Sequence, residues 1–173
     1  MPPRPARDVP IEVRAAAVAD ADVLLAVLMR SYASNFEKLE PGALATPGYR
    51  DLLRERFAAD ISAYGASARV AEVSGICAGW CGRMAGQNEI ADLWVDPPFQ
   101  GQGVGTALLA RALEDIRGDG YAVAEINTHE RNSGAIRLYE RTGFRIYRRG
   151  ADWSQGLQRD IPKVYMRMDM GGT

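Results

Sequence analysis

The chain has 173 residues, 47% of them apolar and 25% charged, with a formal net charge of −1. That length and balance describe one globular domain large enough to bury a core. They exclude bulk binding to nucleic acid or to an anionic membrane surface, which needs a clear excess of positive charge, and no apolar run is long enough to cross a bilayer.

In chain order, residues 1–8 carry basic residues and prolines without an apolar segment. A short disordered tail is expected there, not a secretory signal, with the domain filling residues 9–173. Residues 9–14 read as a first strand. A helix follows from about Asp20 with Val23, Leu24, Val27 and Leu28 as its apolar stripe, and residues 35–47 read as irregular, broken by Pro41, Gly42 and Pro47. Residues 49–64 predict a second helix with Leu52, Leu53, Phe57 and Ile61 turned inward. Residues 68–73 and 76–84 alternate around Ser74-Gly75, a hairpin signal. Residues 88–95 predict a further strand, residues 103–116 a helix stopped near Gly118 and Gly120, and residues 121–128 a strand. After a short helix from Asn132, a strand starts at 145–149, residues 150–162 read as a loop, and residues 163–170 close the sheet. Cys77 and Cys81, the only cysteines, lie four apart on one expected strand. They would share a face but stand too far apart for a disulfide. With one distant histidine they make no metal set, so buried reduced thiols of a cytoplasmic protein are expected.

Residues 93–105 read Leu-Trp-Val-Asp-Pro-Pro-Phe-Gln-Gly-Gln-Gly-Val-Gly. An apolar strand runs through a double proline into a glycine-dense turn and then a helix. Gly101, Gly103 and Gly105 remove three Cβ atoms near the turn, so successive N–H groups are free to point at one spot, and the helix adds the positive end of its dipole. Strand, turn and helix start form an anion site suited to a phosphate or pyrophosphate. A P-loop would need a lysine after the last glycine, and Thr106 stands there. A dinucleotide fingerprint would need glycine at position 106. The pattern present is Gln-x-x-Gly-x-Gly, at Gln100, Gly103 and Gly105. A second motif spans residues 132–144, Asn-Ser-Gly-Ala-Ile-Arg-Leu-Tyr-Glu-Arg-Thr-Gly-Phe. Asn132 or Ser133 suits a helix cap, Gly143 a helix end, and Phe144 the start of a strand anchored in the core.

These two stretches, in this order, resemble the signatures of the GNAT N-acetyltransferase superfamily: the acyl-CoA pyrophosphate loop, and Asn-x-x-Ala-x-x-x-Tyr-x-x-x-Gly-Phe at Asn132, Ala135, Tyr139, Gly143 and Phe144. The strong resemblance covers about residues 88–146. It implies a mixed α/β (α+β) domain, with a central twisted sheet of about seven strands and about four flanking helices. The middle strands part where the pantetheine arm lies. It also implies acetyl-CoA as co-substrate and direct acetyl transfer to a primary amine, on a small molecule or a protein, in a ternary complex. The backbone at Gln100, Gly101, Gln102, Gly103, Val104, Gly105 and Thr106 would hold the pyrophosphate. Leu93, Trp94 and Val95 would meet the pantetheine and the thioester carbonyl, with Asn132 and Ala135 along the arm. Tyr139 would protonate the leaving thiolate.

The general base is open. Glu89 aligns with the catalytic glutamate of histone-type members and shares strand parity with Leu93 and Val95. Asp92 has the opposite parity, and Asn127 stands where some members carry glutamate. His129, the only histidine, reads as a surface loop residue with a lesser claim. Trp80, Trp94, Tyr32, Phe36 and Trp153 are candidates for an acceptor pocket or for the core, and Glu37, Glu40, Asp152 and Asp160 are candidates to attract a cationic amine. Arg145, Arg148 and Arg149 read as a solvated strand edge or as a contact for the CoA 3′-phosphate. The last strand, as a sheet edge, would allow a homodimer. A non-catalytic acyl-CoA-binding module is the alternative function.

Overall fold

A computed structural model of the protein describes residues 9–171; the tail expected at residues 1–8 lies outside them. The described chain forms β1 (Ile11–Ala15), α1 (Ala21–Leu39), α2 (Tyr49–Tyr64), β2 (Arg69–Val73), β3 (Ile76–Gly82), β4 (Glu89–Ile90), β5 (Asp92–Val95), α3 (Val104–Gly118), β6 (Val123–His129), α4 (Ser133–Thr142), β7 (Arg145–Ser154) and β8 (Arg159–Asp169). This is the expected order of strands and helices, with one strand broken in two.

The break is the main architectural feature. The strand expected at 88–95 divides at Ala91. β5 pairs antiparallel with β3 in a sheet ordered β1-β2-β3-β5, while β4 pairs parallel with β6 in a sheet ordered β4-β6-β8-β7. Ala91 donates its N–H to the Gly82 carbonyl at 2.9 Å, and Asp92 is also registered against Gly82. Two residues therefore oppose one, a bulge that reverses side-chain parity. Ile90 joins the same core as Leu93 and Val95, whereas Trp94 packs on the other side.

Two cores flank the first sheet. α3 lays Val104, Leu108, Leu109, Ala112, Leu113 and Ile116 against one face, with Ala124, Ile126, Val164 and Met166 from the second sheet. Each large aliphatic side chain fully buried there contributes about 2 kcal/mol. α1 and α2 cover the opposite face with Leu24, Val27, Leu28, Leu53 and Ile61, around Val70 and Trp80. Trp80 is wholly buried and its indole N–H donates to the Leu24 carbonyl at 2.9 Å, which fixes α1 on the sheet. The second sheet has an apolar core on one face only. Its other face carries Glu89, Glu125, Asn127, Lys163, Tyr165 and Arg167, half-buried to exposed.

Several expectations change. α1 continues into the predicted irregular stretch as far as Leu39, with Phe36 and Leu39 half-buried on it; Pro41 and Gly42 follow its end. Val23 and Leu52 face outward. The loop expected at 150–162 is the hairpin of β7 and β8. β7 is an edge strand exposed along most of its length, so no apolar alternation marked it. The last strand, β8, lies between β6 and β7 and offers no free edge. A register shift between Ala71 and Glu72 puts Cys77 and Cys81 against different cores, so they do not share a face. Both are free thiols, and burial pushes the Cys81 thiol up to about 12.

Candidate active site at the split between β5 and β6

β4 leaves β6 after two registered pairs, and β5 turns away to β3, so the sheets part beside the glycine turn. Trp94 is registered with Trp80, and Asp96 donates to the Ala78 carbonyl at 2.9 Å. The alternation of an antiparallel ladder then directs the peptide groups of Leu93 and Val95 to the open side. Gln100 Nε2 donates to the Val95 carbonyl at 3.1 Å, and Gln102 Nε2 to that of Pro98 at 2.8 Å. The two glutamines thus brace the turn with their side chains.

Gly103 is the N-cap of α3, with φ of 90° and no side-chain cap. The first bond into the helix is Ala107 N–H to Gly103 O, leaving the amides of Val104, Gly105 and Thr106 available to an anion. The glycines differ in purpose. A Cβ on Gly105 would stand 3.0 Å from Leu138 Cδ2, so the missing side chain at this glycine admits α4 against α3. Asp96, just before the turn, is buried and takes a two-pronged ion pair from Arg30 of α1, at 2.9 and 2.8 Å. Sequence reasoning missed Arg30; nothing local marks a partner 66 residues away.

Asn132 caps α4 through Oδ1, which accepts from Ala135 N–H at 3.3 Å, while its Nδ2 donates to Thr128 Oγ1 at 3.1 Å. Both ends of its side chain are engaged within the protein. Ala135 follows on the first turn of α4, half-buried. Tyr139 is 5% exposed, and its ring packs near that of Phe144. Burial first, then the Asp92 charge, pushes its phenol above the ordinary tyrosine value. Burial thus favours the neutral phenol.

Glu89 is exposed on β4 and accepts from Asn127 Nδ2 at 3.0 Å. Because of the bulge at Ala91 it lies on the side of Asp92 and Trp94, not that of Leu93 and Val95; the parity expectation is overturned for Glu89, while Asp92 stands opposite to Leu93 and Val95 as expected. Asp92 is buried, holding Tyr64 O–H at 2.6 Å and Trp94 Nε1–H at 2.8 Å. Desolvation pushes its carboxyl up, and these two hydrogen bonds pull against that. Gly82 makes room for this arrangement, since a Cβ there would stand 2.4 Å from the Tyr64 ring.

His129 is not a surface residue. At 5% exposure its Nδ1 accepts from Arg131 N–H, which makes Nε2 the protonated nitrogen that donates to Glu40 Oε1 at 2.8 Å. Glu40 is buried and also pairs with Arg159 at 2.6 Å. Glu37 accepts from the amides of Gly42 and Leu44, closing the turn after α1. Asp152 is held by Lys163 and Tyr165, and it and Asp160 are the two exposed acids of the four. Trp80 and Tyr32 belong to the core, Phe36 and Trp94 are half-buried, and Trp153 faces outward. Arg148 lies over the Tyr165 ring at 3.4 Å. A hollow of about 300 Å³ beside Asn132 is lined by Lys38, Arg131 and Arg137, a cationic rim the sequence did not reveal. Among the described residues no group of acids, histidines and cysteines is placed to hold a metal, and no helix is long and apolar enough to cross a membrane.

An uncapped helix start beside a split sheet, with a tyrosine buried behind it, is a geometry able to take an anion on backbone amides. Residues 29–144 match the acetyltransferase (GNAT) family, and the chain belongs to that family. Over 56 residues it is 43% identical to an uncharacterised N-acetyltransferase of Methanocaldococcus jannaschii, which covers 32% of this chain and 25% of that protein. The chain thus spans a quarter of that relative. A GCN5-related N-acetyltransferase from Rhodopseudomonas palustris shares the fold, with a TM-score of 0.75, 19% identity, and coverage of 96% of this chain and 99% of that one. PaiA N-acetyltransferase from Thermoplasma acidophilum, solved with coenzyme A, aligns with a TM-score of 0.70 at 18% identity over 92% and 99% of the two chains.

Proposed function

We propose that this chain is an acetyl-CoA-dependent N-acetyltransferase that passes the acetyl group directly to a primary amine, on a small molecule or a protein, in a ternary complex. The single observation that carries the reading is the uncapped start of α3 at Gly103 beside the open edge of β5. That helix start fits the pyrophosphate of coenzyme A, and the edge amides of Leu93 and Val95 fit the amides of its pantetheine arm. Gln100, Gly101 and Gln102 shape the turn, and Val104, Gly105 and Thr106 supply the donors. Lys38, Arg131 and Arg137 add positive charge near Asn132. Bound there, acetyl-CoA supplies a thioester carbonyl.

The protein's share of the chemistry is positional and protonic. Glu89 takes a proton from the acceptor ammonium, leaving a nitrogen lone pair free to attack. The C–N bond forms as the C–S bond breaks, and the second proton that the nitrogen sheds on becoming an amide passes by way of Tyr139 to the departing sulfur. Tyr139 donates to the departing sulfur, and its raised pKa makes that donation first a hydrogen bond to the developing thiolate. Because Asn132 is occupied as a cap, its contribution is to orient α4 and with it Tyr139.

The test is CoA release, read as free thiol, across a panel of spermidine, a lysine peptide, a peptide with a free N-terminus and an aminoalkylphosphonate. Turnover of one class supports the reading and names the acceptor. Tight acetyl-CoA binding without turnover of any amine would instead support a non-catalytic acyl-CoA-binding module.

A further inference from the structure

We infer that Lys163, acting through Asn127, is a positioning residue for Glu89. The inference rests on the reading of Glu89 as the general base. Three strands bring the groups together on the polar face of the second sheet. Glu89 lies on β4, Asn127 on β6 and Lys163 on β8, 36 positions beyond Asn127 in the chain. Lys163 Nζ lies 3.0 Å from Asn127 Oδ1, and Asn127 Nδ2 lies 3.0 Å from Glu89 Oε1.

The chemistry of the donors fixes the direction of the chain. An ammonium has three donors and no acceptor, so the amide atom facing Lys163 must be the oxygen. The amide nitrogen is then forced toward Glu89, and it donates to a carboxylate oxygen. Without the ammonium, the amide is free to turn and present its oxygen to Glu89, which would repel an ionised carboxylate. Lys163 thus selects the one orientation of Asn127 that holds Glu89 in place as an acceptor of protons.

Lys163 is itself held. Its ammonium stands 3.6 Å from Asp152 Oδ2, and Tyr165 O–H donates to the same carboxylate. The side chain is 28% exposed, so the arrangement is neither locked in the core nor loose in solvent. The parallel register of Glu89 with Glu125 adds a second acid on this face, and Arg167 of β8 is registered against Glu125.

The experiment is a double-mutant cycle on the full chain, with acetyl-CoA and the amine of the panel above that turns over fastest. Lys163→Met is expected to lower kcat by about tenfold with KM for acetyl-CoA unchanged, and Lys163→Arg, also a pure donor, to recover most of the loss. Placed on Glu89→Gln, Lys163→Met should cost nothing further, because the residue it serves is gone. An equal tenfold loss in both backgrounds would overturn the inference, as would a loss that appears in KM for acetyl-CoA alone. If Glu89→Gln leaves kcat unchanged, the reading of Glu89 as base falls first and the inference with it. The two failures are therefore distinguishable.

Discussion

The two sides of the split are built by different means. On the β5 side the polar groups facing the split are backbone N–H and C=O, set by a glycine N-cap with φ of 90° and by the free edge of a strand. On the β6 side they are side chains, Glu89, Asn127 and Lys163, borrowed from three strands and joined by cross-strand hydrogen bonds. A backbone site depends on local dihedrals and tolerates variation in the residues around it. A side-chain site depends on registry between distant strands and tolerates almost none.

Substitutions on each side sharpen that contrast. Gly103→Asp should be the most severe, since it strains a left-handed N-cap and sets a negative charge against the anion; acetyl-CoA affinity should fall by roughly a hundredfold or more. Calorimetric titration checks it, and binding that survives would remove the turn as the pyrophosphate site. Tyr139→Phe should lower kcat by about a hundredfold while leaving acetyl-CoA affinity as it was; a normal kcat in steady-state assays would remove Tyr139 as the donor to sulfur. Arg30→Ala releases buried Asp96 at the foot of the turn. Because Arg30 is half exposed, a loss of only about threefold to tenfold in acetyl-CoA affinity is expected. An affinity equal to the parent's would show that β5 and the two glutamines hold the turn without help.

The smallest effect concerns Asp92, between the two sides. Its carboxyl is raised in the folded protein relative to about 4 in the unfolded chain. A raised acid favours the folded state most below the unfolded value, and that advantage is lost as pH climbs through the folded value. Denaturant unfolding from pH 3 to 7 should therefore show the parent losing ground to Asp92→Asn as pH rises. The opposite slope would mean that the bonds from Tyr64 and Trp94 outweigh burial.

The same contrast explains what the sequence disclosed. The order of elements, the Ser74-Gly75 hairpin, the Asn132 cap and the Gly103 helix start were legible because each depends on neighbouring residues. The positive φ at Ser74 and Gly75 is what a tight hairpin requires. The bulge at Ala91 was not legible, since nothing about an alanine announces that two residues will face Gly82. That one insertion reversed the placement of Glu89 relative to Leu93 and Val95. The second half of β7, residues 150–154, escaped notice because a strand exposed on its edge leaves no apolar rhythm. Arg30, Lys163 and the burial of His129 against Glu40 rest on contacts across 66, 36 and 89 positions of chain, which local patterns do not carry.

The division at Ala91 also has a bearing on motion. β4 and β5 are neighbours in sequence yet belong to different sheets, so their hydrogen-bond ladders open independently. The amides of Leu93 and Val95 have no partner strand on their open side, whereas Trp94 is tied to Trp80. Hydrogen exchange in the free protein should therefore alternate along three residues, fast at 93 and 95 and slow at 94. A ligand that lies along this edge would quench the fast pair and leave its neighbour unchanged, giving a residue-level signature of occupancy that needs no turnover.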